Sequence, residues 1–296
     1  MIIPNRSKML IVSFLALIIP VNVAASDKWD EYATFVNRFY FLDAKPVNGI
    51  SCKVIVPILG ESLKMLKSQL EPIEKNSIQL TENFSDFRFK WSKTLGVSFD
   101  LPSFDAKILS EEGLGNRNDI ESMLNKVKKG IQLQIAGAAA VIKGIFEALI
   151  SPKRHEVIIK EFMKTQNQVE ISYERGGVIG NQLYSDTNLQ EKQTGQNFEM
   201  QSSTTFTRTD DDKLVPTTMT AKINQAGNHT STDFVLDYQT IDAITFFRQI
   251  TATNKIETPL MKQEFKVDIL FQDCKVELTE QEAELSRSKK VLIRAN

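Results

Sequence analysis

Apolar residues change their spacing several times along this chain, and each change marks a predicted element. Tyr32, Phe35, Val36 and Phe39 recur at i, i+3, i+4 and i+7, one stripe of a short helix beginning near Asp27. A strand-like run follows at Ile50 to Val56, carrying Cys52. Leu63, Leu66 and Leu70 return to helical spacing and predict a helix from Ser62 to Leu70, halted by Pro72. Next, Phe87, Phe89 and Trp91 alternate with Arg88 and Lys90, and Val97, Phe99 and Leu101 alternate with Ser98 and Asp100. Strict alternation predicts strands with one face buried.

From Asn118 or Asp119, either of which suits an N-cap, the helical period is kept to Ser151-Pro152 by Ile120, Met123, Leu124, Val127, Ile131, Ile135, Ala138, Ile142, Ile145 and Leu149. The half from Gly130 to Ile150 is apolar on nearly every side, but Gln132, Gln134, Lys143 and Glu147 interrupt it. A bilayer span needs about 20 residues with few or no charges. The expectation is therefore a helix buried by protein, with Gly137 and the neighbouring alanines admitting a close approach. Insertion into a membrane is the competing use of the same segment.

After Pro152 the pattern becomes strands and turns for the rest of the sheet-forming chain. The candidates are Glu156 to Phe162, Gln168 to Tyr173, Val178 to Tyr184, Asn197 to Thr209, Thr217 to Asn224, Thr230 to Thr240, Thr245 to Thr253 and Gln263 to Val276. Arg175-Gly176-Gly177, Gln193-Thr194-Gly195, Asp210-Asp211-Asp212 and Gln225-Ala226-Gly227-Asn228 are the turn signals between them. Connections this short join antiparallel neighbours, because a parallel pair needs a crossover of about a dozen residues or more. Phe234, Leu236 and Tyr238 share one face, as do Phe265, Val267, Ile269 and Phe271, with Asp233, Asp237, Lys266 and Asp268 opposite. Apolar faces of that extent require a cover, and the long helix is the obvious one.

The first residues change the picture of where the chain folds. Asn5-Arg6-Ser7-Lys8 forms a basic start, Met9 to Val21 an apolar core and Val23-Ala24-Ala25 a small-residue site, so residues 1–25 read as a signal peptide with cleavage after Ala25. About 270 of the 296 residues remain, within the range of one large sheet-built domain. That domain is expected over residues 26–279, followed by a charged tail over 280–296, in a periplasmic or secreted protein. The formal net charge is -1, which argues against nucleic acid or an anionic membrane surface as partner. The two cysteines, Cys52 and Cys274, lie in strand-like runs near opposite ends of the mature chain. In an oxidising compartment they are expected to form a disulfide, worth roughly 4 to 5 kcal/mol in the chain-entropy model. Two buried free thiols are the alternative.

Leu214-Val215-Pro216-Thr217-Thr218-Met219-Thr220-Ala221-Lys222-Ile223, then Asp233-Phe234-Val235-Leu236-Asp237-Tyr238-Gln239-Thr240-Ile241-Asp242, then Phe265 to Phe271, resembles the strand rhythm of the bacterial LolA-like lipoprotein-carrier and lipid-binding superfamily. The resemblance covers Leu214 to Val276, and the leader and opening helix agree with it. It implies an open half-barrel wrapped around helices, and an apolar ligand. The long Gly/Ala helix before the main sheet and the pair of cysteines depart from the family's pattern, and no counterpart of its lipid-gating arginine and aromatic positions is recognisable. No residue roles are carried over.

Catalytic chemistry finds little footing. His155 and His229 are the only histidines, which excludes a His-rich metal site or an HExxH helix. His155 sits at a helix-to-strand junction and His229 in a turn, inside the sequon Asn228-His229-Thr230. No Gly-x-Ser-x-Gly elbow occurs, and the glycines lack phosphate-cradling spacing before a helix. Asp210-Asp211-Asp212 cannot all converge on one calcium ion, so a solvated turn is the expectation. No metal, cofactor or catalytic residue is assigned.

The fold expected is therefore α+β, a strongly curved antiparallel sheet in an open half-barrel around a long apolar helix. The function expected is non-catalytic binding or carriage of a hydrophobic small molecule, lipid or acyl chain. Phe87, Phe89, Trp91, Phe234, Leu236 and Tyr238 from the strands, with Ile131 and Ile135 from the helix, are the candidate ligand-binding residues, around a cavity on the order of several hundred Å³. Individually such aromatic residues also serve as ordinary core. The alternative is an adhesive or structural module that binds a protein partner and has a packed interior, and a third reading is a membrane-perturbing protein that releases Gly130 to Ile150. No transmembrane helix is expected after signal removal.

Overall fold

The computed structural model describes residues 28–70, 78–109, 117–225, 228–258 and 261–279. The leader over 1–25, the tail over 280–296, Pro72 and the centre of the Gln225-Ala226-Gly227-Asn228 turn lie outside the described residues. The chain is α+β. Twelve strands form one sheet in the order β4-β3-β1-β14-β13-β12-β11-β10-β9-β8-β7-β6, and β2 pairs with β5 in a separate two-stranded sheet. The strands are β1 (Val47–Ile55), β2 (Ile78–Asn83), β3 (Arg88–Ser92), β4 (Gly96–Asp100), β5 (Ser103–Ile108), β6 (Ile158–Lys164), β7 (Val169–Arg175), β8 (Val178–Ser185), β9 (Asn188–Gly195), β10 (Phe198–Arg208), β11 (Leu214–Gln225), β12 (Asn228–Ile241), β13 (Ile244–Thr258) and β14 (Met261–Leu278). From β6 to β14 each strand neighbours the next in sequence, the meander that short turns require. The sheet is not closed, because β4 and β6 end it without meeting.

Three α-helices accompany the strands: α1 (Trp29–Val36), α2 (Pro57–Leu70) and α3 (Arg117–Phe146), the last continued by a 3₁₀ turn at Glu147–Leu149. The chain divides into two compact units. The first comprises residues up to Lys45, Gly144–Thr240 and Ile244–Lys266; the second comprises Pro46–Lys143, Ile241–Ala243 and the residues from Val267 on. Helix α3 and strand β14 each contribute to both.

In the first unit the stripe on α1 meets strands β6 to β9. Tyr32 and Val36 bury against Ile159, Val169, Ile171, Tyr173 and Tyr184, with Phe35, Phe39, Phe162 and Leu189 packed around them. The Phe35 and Tyr184 rings meet edge to face at 4.9 Å, a geometry the ring quadrupoles favour. Phe39 forms a parallel bridge with Leu214. Gly180 lies opposite Tyr173 in the β7–β8 register, and the tyrosine ring occupies the place its side chain would take. At the end of α3, Phe146 packs on Phe246 (6.1 Å), Phe246 on Phe247 (5.3 Å), and Phe247 on Tyr238 (5.3 Å).

In the second unit β1 lies between β14 and β3. The β1–β14 register slips between Ser51 and Lys53, setting two residues of β14 against one of β1 as in a β-bulge, and Asp273 takes a positive φ of 48° there. Cys52 and Cys274 meet at that slip with their sulfurs at bonding distance, 2.10 Å, joining the first strand to the last. Phe89 packs edge to face on Phe271 at 6.1 Å and on Phe99 at 5.8 Å. Ser62 of α2 and Gln134 of α3 are 3.4 Å apart, and Lys128 of α3 donates to Asp105 of β5 at 2.8 Å.

Helix α3 departs from expectation in its surroundings. Leu124, Ile131, Ile135, Ala138, Ile142 and Ile145 form a buried stripe, but Leu133 is 61% exposed, and a Cβ added at Gly130, Gly137 or Gly144 would meet nothing within 4 Å. The close approach expected at Gly137 is absent. By length and composition Arg117–Leu149 could cross a membrane, and 33% of its most apolar stretch is buried. Strand parity also differs at one expected position: Phe265 is 40% exposed, while Ile269 and Phe271 are buried.

Candidate functional site

A cavity lies in the second unit, where β1 gives way to α2. Pro57 is the first residue of α2, a position where its missing N–H costs nothing and its fixed φ already suits the helix. Leu59 donates its N–H to Val56 at 3.0 Å, and Val54 donates to the carbonyl of Phe87 at 2.8 Å, holding the strand end against β3. Leu59, Leu63 and Leu66 carry the buried stripe of α2. Gly60 follows Leu59 with no side chain, and a Cβ there would meet nothing within 4 Å. The result is a cavity of about 240 Å³ lined by Lys53, Val54, Ile55, Val56, Pro57, Leu59, Gly60, Phe84 and Phe87. Its only charged lining residue is Lys53.

Of the residues expected to bind a ligand, Phe87 lines this cavity. Phe89, Trp91, Ile131 and Ile135 are buried elsewhere in the same unit. Phe234, Leu236 and Tyr238 belong to the other unit, where Leu236 is buried and the Tyr238 hydroxyl donates to the Pro216 carbonyl at 2.6 Å. Val54, Val56, Pro57, Leu59, Gly60 and Phe84 were not singled out from sequence. The signal that was available is Pro57-Ile58-Leu59-Gly60 directly after an apolar strand, where a helix opens with a glycine at its fourth residue.

A second polar cluster lies on β7 to β10 of the first unit. Glu191 accepts from the Tyr173 hydroxyl at 2.6 Å, from Gln182 at 2.8 Å and from Ser202 at 3.4 Å. Gln193 donates to the Tyr173 hydroxyl at 3.0 Å. Burial, and then the Glu191 charge, push the Tyr173 phenol far above its ordinary range, so it stays a donor. The network is mutually satisfied and rigid, which suits a structural role.

The remaining candidates are solvated. His155 is exposed, 3.9 Å from Glu156, and His229 is exposed with its ring nitrogen 2.6 Å from Asn224. Asp211 is held below the usual carboxylate range first by its hydrogen bond from Lys45 and then by that from Thr209, while Arg208 pairs with Asp212 at 2.7 Å. Asp211 and Asp212 of the Asp210-Asp211-Asp212 turn thus each pair with a neighbouring cation. Among the described residues no group of three or more His, Cys, Asp or Glu could hold a metal ion. No family model, curated protein or solved structure matches the chain.

Proposed function

We propose that the protein is an exported, non-catalytic binder or carrier of a hydrophobic small molecule, lipid or acyl chain. The observation that carries this reading is the cavity at the β1–α2 junction, walled by Val54, Val56, Leu59, Phe84 and Phe87. Apolar walls with few polar anchors are how acyl sites are built, although about 240 Å³ falls below the roughly 300–1,000 Å³ of drug-sized pockets. It suits a short chain or one end of a longer one. The resemblance of Leu214 to Val276 to the LolA-like superfamily supports the same reading, with the sheet as an open half-barrel. Purified protein should release a hydrophobic compound into an organic extract, identified by mass spectrometry. An extract empty of any stoichiometric lipid, together with no displacement of a long-chain acyl fluorophore, would overturn it.

The adhesive or structural module remains the second reading, on a specific observation. Phe89, Trp91, Leu236, Ile131 and Ile135 are buried and are not on the cavity wall, which is how residues of a packed interior behave.

A further inference from the structure

The cavity at the β1–α2 junction is graded from an exposed rim to a buried floor. Val54, Val56, Leu59 and Phe87 on its wall are buried, whereas Gly60 and Phe84 are half-buried and Pro57 is exposed. Both aromatic walls are braced by other rings: Phe87 lies 6.2 Å from Phe99, and Phe84 stacks on Phe104 at 6.4 Å. Lys53 puts no charge into the space. Burial alternates along this part of β1, and Lys53 stands between the buried Cys52 and Val54. Its side chain therefore projects from the opposite face of the sheet, as does that of its register partner, the exposed Arg88. Main-chain groups at the floor are engaged as well: the Val54 N–H donates to the Phe87 carbonyl, and the Val56 carbonyl accepts from Leu59. Among the described residues no Asp, Glu, Arg or His lines the cavity.

A polar head pushed to such a floor would lose its hydrogen bonds to water and find none in exchange, which is costly for a hydroxyl and far more so for a charge. The apolar end must go in and the head must stay at the rim. We propose that this cavity takes the methyl end of a straight hydrocarbon chain and is indifferent to the head group, selecting its ligand by chain length. The proposal rests on the hydrophobic-ligand reading and adds the class of ligand and the end by which it enters. Size sets the length. An apolar cavity of roughly 150 Å³ stays dry and takes a benzene ring; by that proportion about 240 Å³ takes roughly eight to ten carbons. Carbons beyond that number lie outside the rim and gain nothing from the walls.

Titration calorimetry on the full chain with 1-octanol, octanoate and octylammonium, which share a chain and differ in charge, tests the indifference to the head. At physiological salt, where distant charges are screened, the three should bind within about threefold of one another. A 1-alkanol series tests the length: affinity should rise about fourfold per added CH₂ from hexanol to octanol and stop rising near about ten carbons. Val54→Ala deepens the floor by two methyl groups and should move that stopping point outward by about two carbons, a shift that general loosening of the fold would not produce. Phe84→Ala, on the half-buried rim, is the milder change and should weaken all three octyl ligands by a common factor. A head-group preference above about threefold overturns the indifference, and a gain that continues undiminished from decanol to dodecanol in the unaltered protein overturns the length limit. Binding that neither variant alters overturns this cavity as the place. All of these leave the hydrophobic-ligand reading standing; if no ligand of either series binds, that reading falls as well.

Discussion

Gly180→Ala is a small change that the structure makes expensive. Gly180 and Tyr173 are partners across β7 and β8, and a Cβ on residue 180 would lie 2.1 Å from the ring Cζ and 2.5 Å from the hydroxyl oxygen of Tyr173. The backbone is no obstacle: the glycines at positive φ are Gly96, Gly176 and Gly177, so alanine suits residue 180 and on propensity alone would stabilise a strand by about 0.5–1 kcal/mol. The ring must therefore move. It is buried under α1, and its hydroxyl donates to Glu191 at 2.6 Å and accepts from Gln193 at 3.0 Å. Breaking a hydrogen bond to a charged group costs about 1.5–3 kcal/mol and a neutral one about 0.5–1.5. Forcing a ring into packed surroundings costs about 1–3 kcal/mol more. With partial relaxation and the propensity gain, the expected net loss is about 2–5 kcal/mol. Equilibrium urea unfolding measures it. In a Tyr173→Ala background the same substitution should be neutral or slightly stabilising, so a double-mutant cycle should return most of the loss as coupling. A loss below about 1 kcal/mol in the unaltered protein, or an equal loss in both backgrounds, would refute the argument that the ring is locked.

Two further outcomes are expected. Cys52→Ala with Cys274→Ala removes a crosslink across a sequence separation of 222, which the chain-entropy model values at about 5 kcal/mol; an unchanged urea midpoint against the oxidised protein would show that the bond does not constrain the unfolded chain. All five tyrosines of the chain have phenols pushed up by burial, Tyr32 and Tyr40 to about 12 and Tyr173, Tyr184 and Tyr238 in the same direction. The unfolded chain ionises near about pH 10 while the folded phenols stay protonated, so stability is intact below about pH 10 and falls as pH rises toward about 12. Tyrosinate absorbance should stay silent until the protein unfolds, and a phenol ionising near its ordinary pKa in the native state contradicts this.

What was legible in the sequence was local. The stripe of Tyr32, Phe35, Val36 and Phe39 announced α1, and alternation at Phe87, Phe89 and Trp91 announced β3, because burial of one face imposes a period on the element that carries it. The long helix was found within a few residues of its ends, with α3 at Arg117–Phe146. The pairing of Cys52 with Cys274 followed from their positions near the ends of a meander.

Other elements were not legible, for identifiable reasons. Strand β9, Asn-Leu-Gln-Glu-Lys-Gln-Thr-Gly, shows alternating burial, but its inward residues include Glu191 and Gln193, so no apolar period marks it. Those polar groups are acceptable inside only because Tyr173, Gln182 and Ser202 reach them from other strands. The opening turn of α2 was missed because Pro57 reads as a breaker unless it is known to stand at the first helical position. Likewise, nothing in the period of α3 tells which of its apolar sides is covered; Ile131 and Ile142 are buried, whereas Leu133 is exposed.

The sequence by itself determined which residues share a face in α1, β3 and most of α3, and that the strands from β6 onward, β9 excepted, follow one another antiparallel. Those properties depend on side-chain spacing and on turn length, and both are written locally. Only the tertiary structure decided that Lys53 stands opposite Arg88 rather than a carboxylate, that Phe87 borders open space while Phe89 does not, and that the gap at Gly60 stays unfilled. Register and cavity depend on how residues far apart in the chain meet, and a cavity is the volume that no side chain reaches, so no single stretch of sequence encodes it.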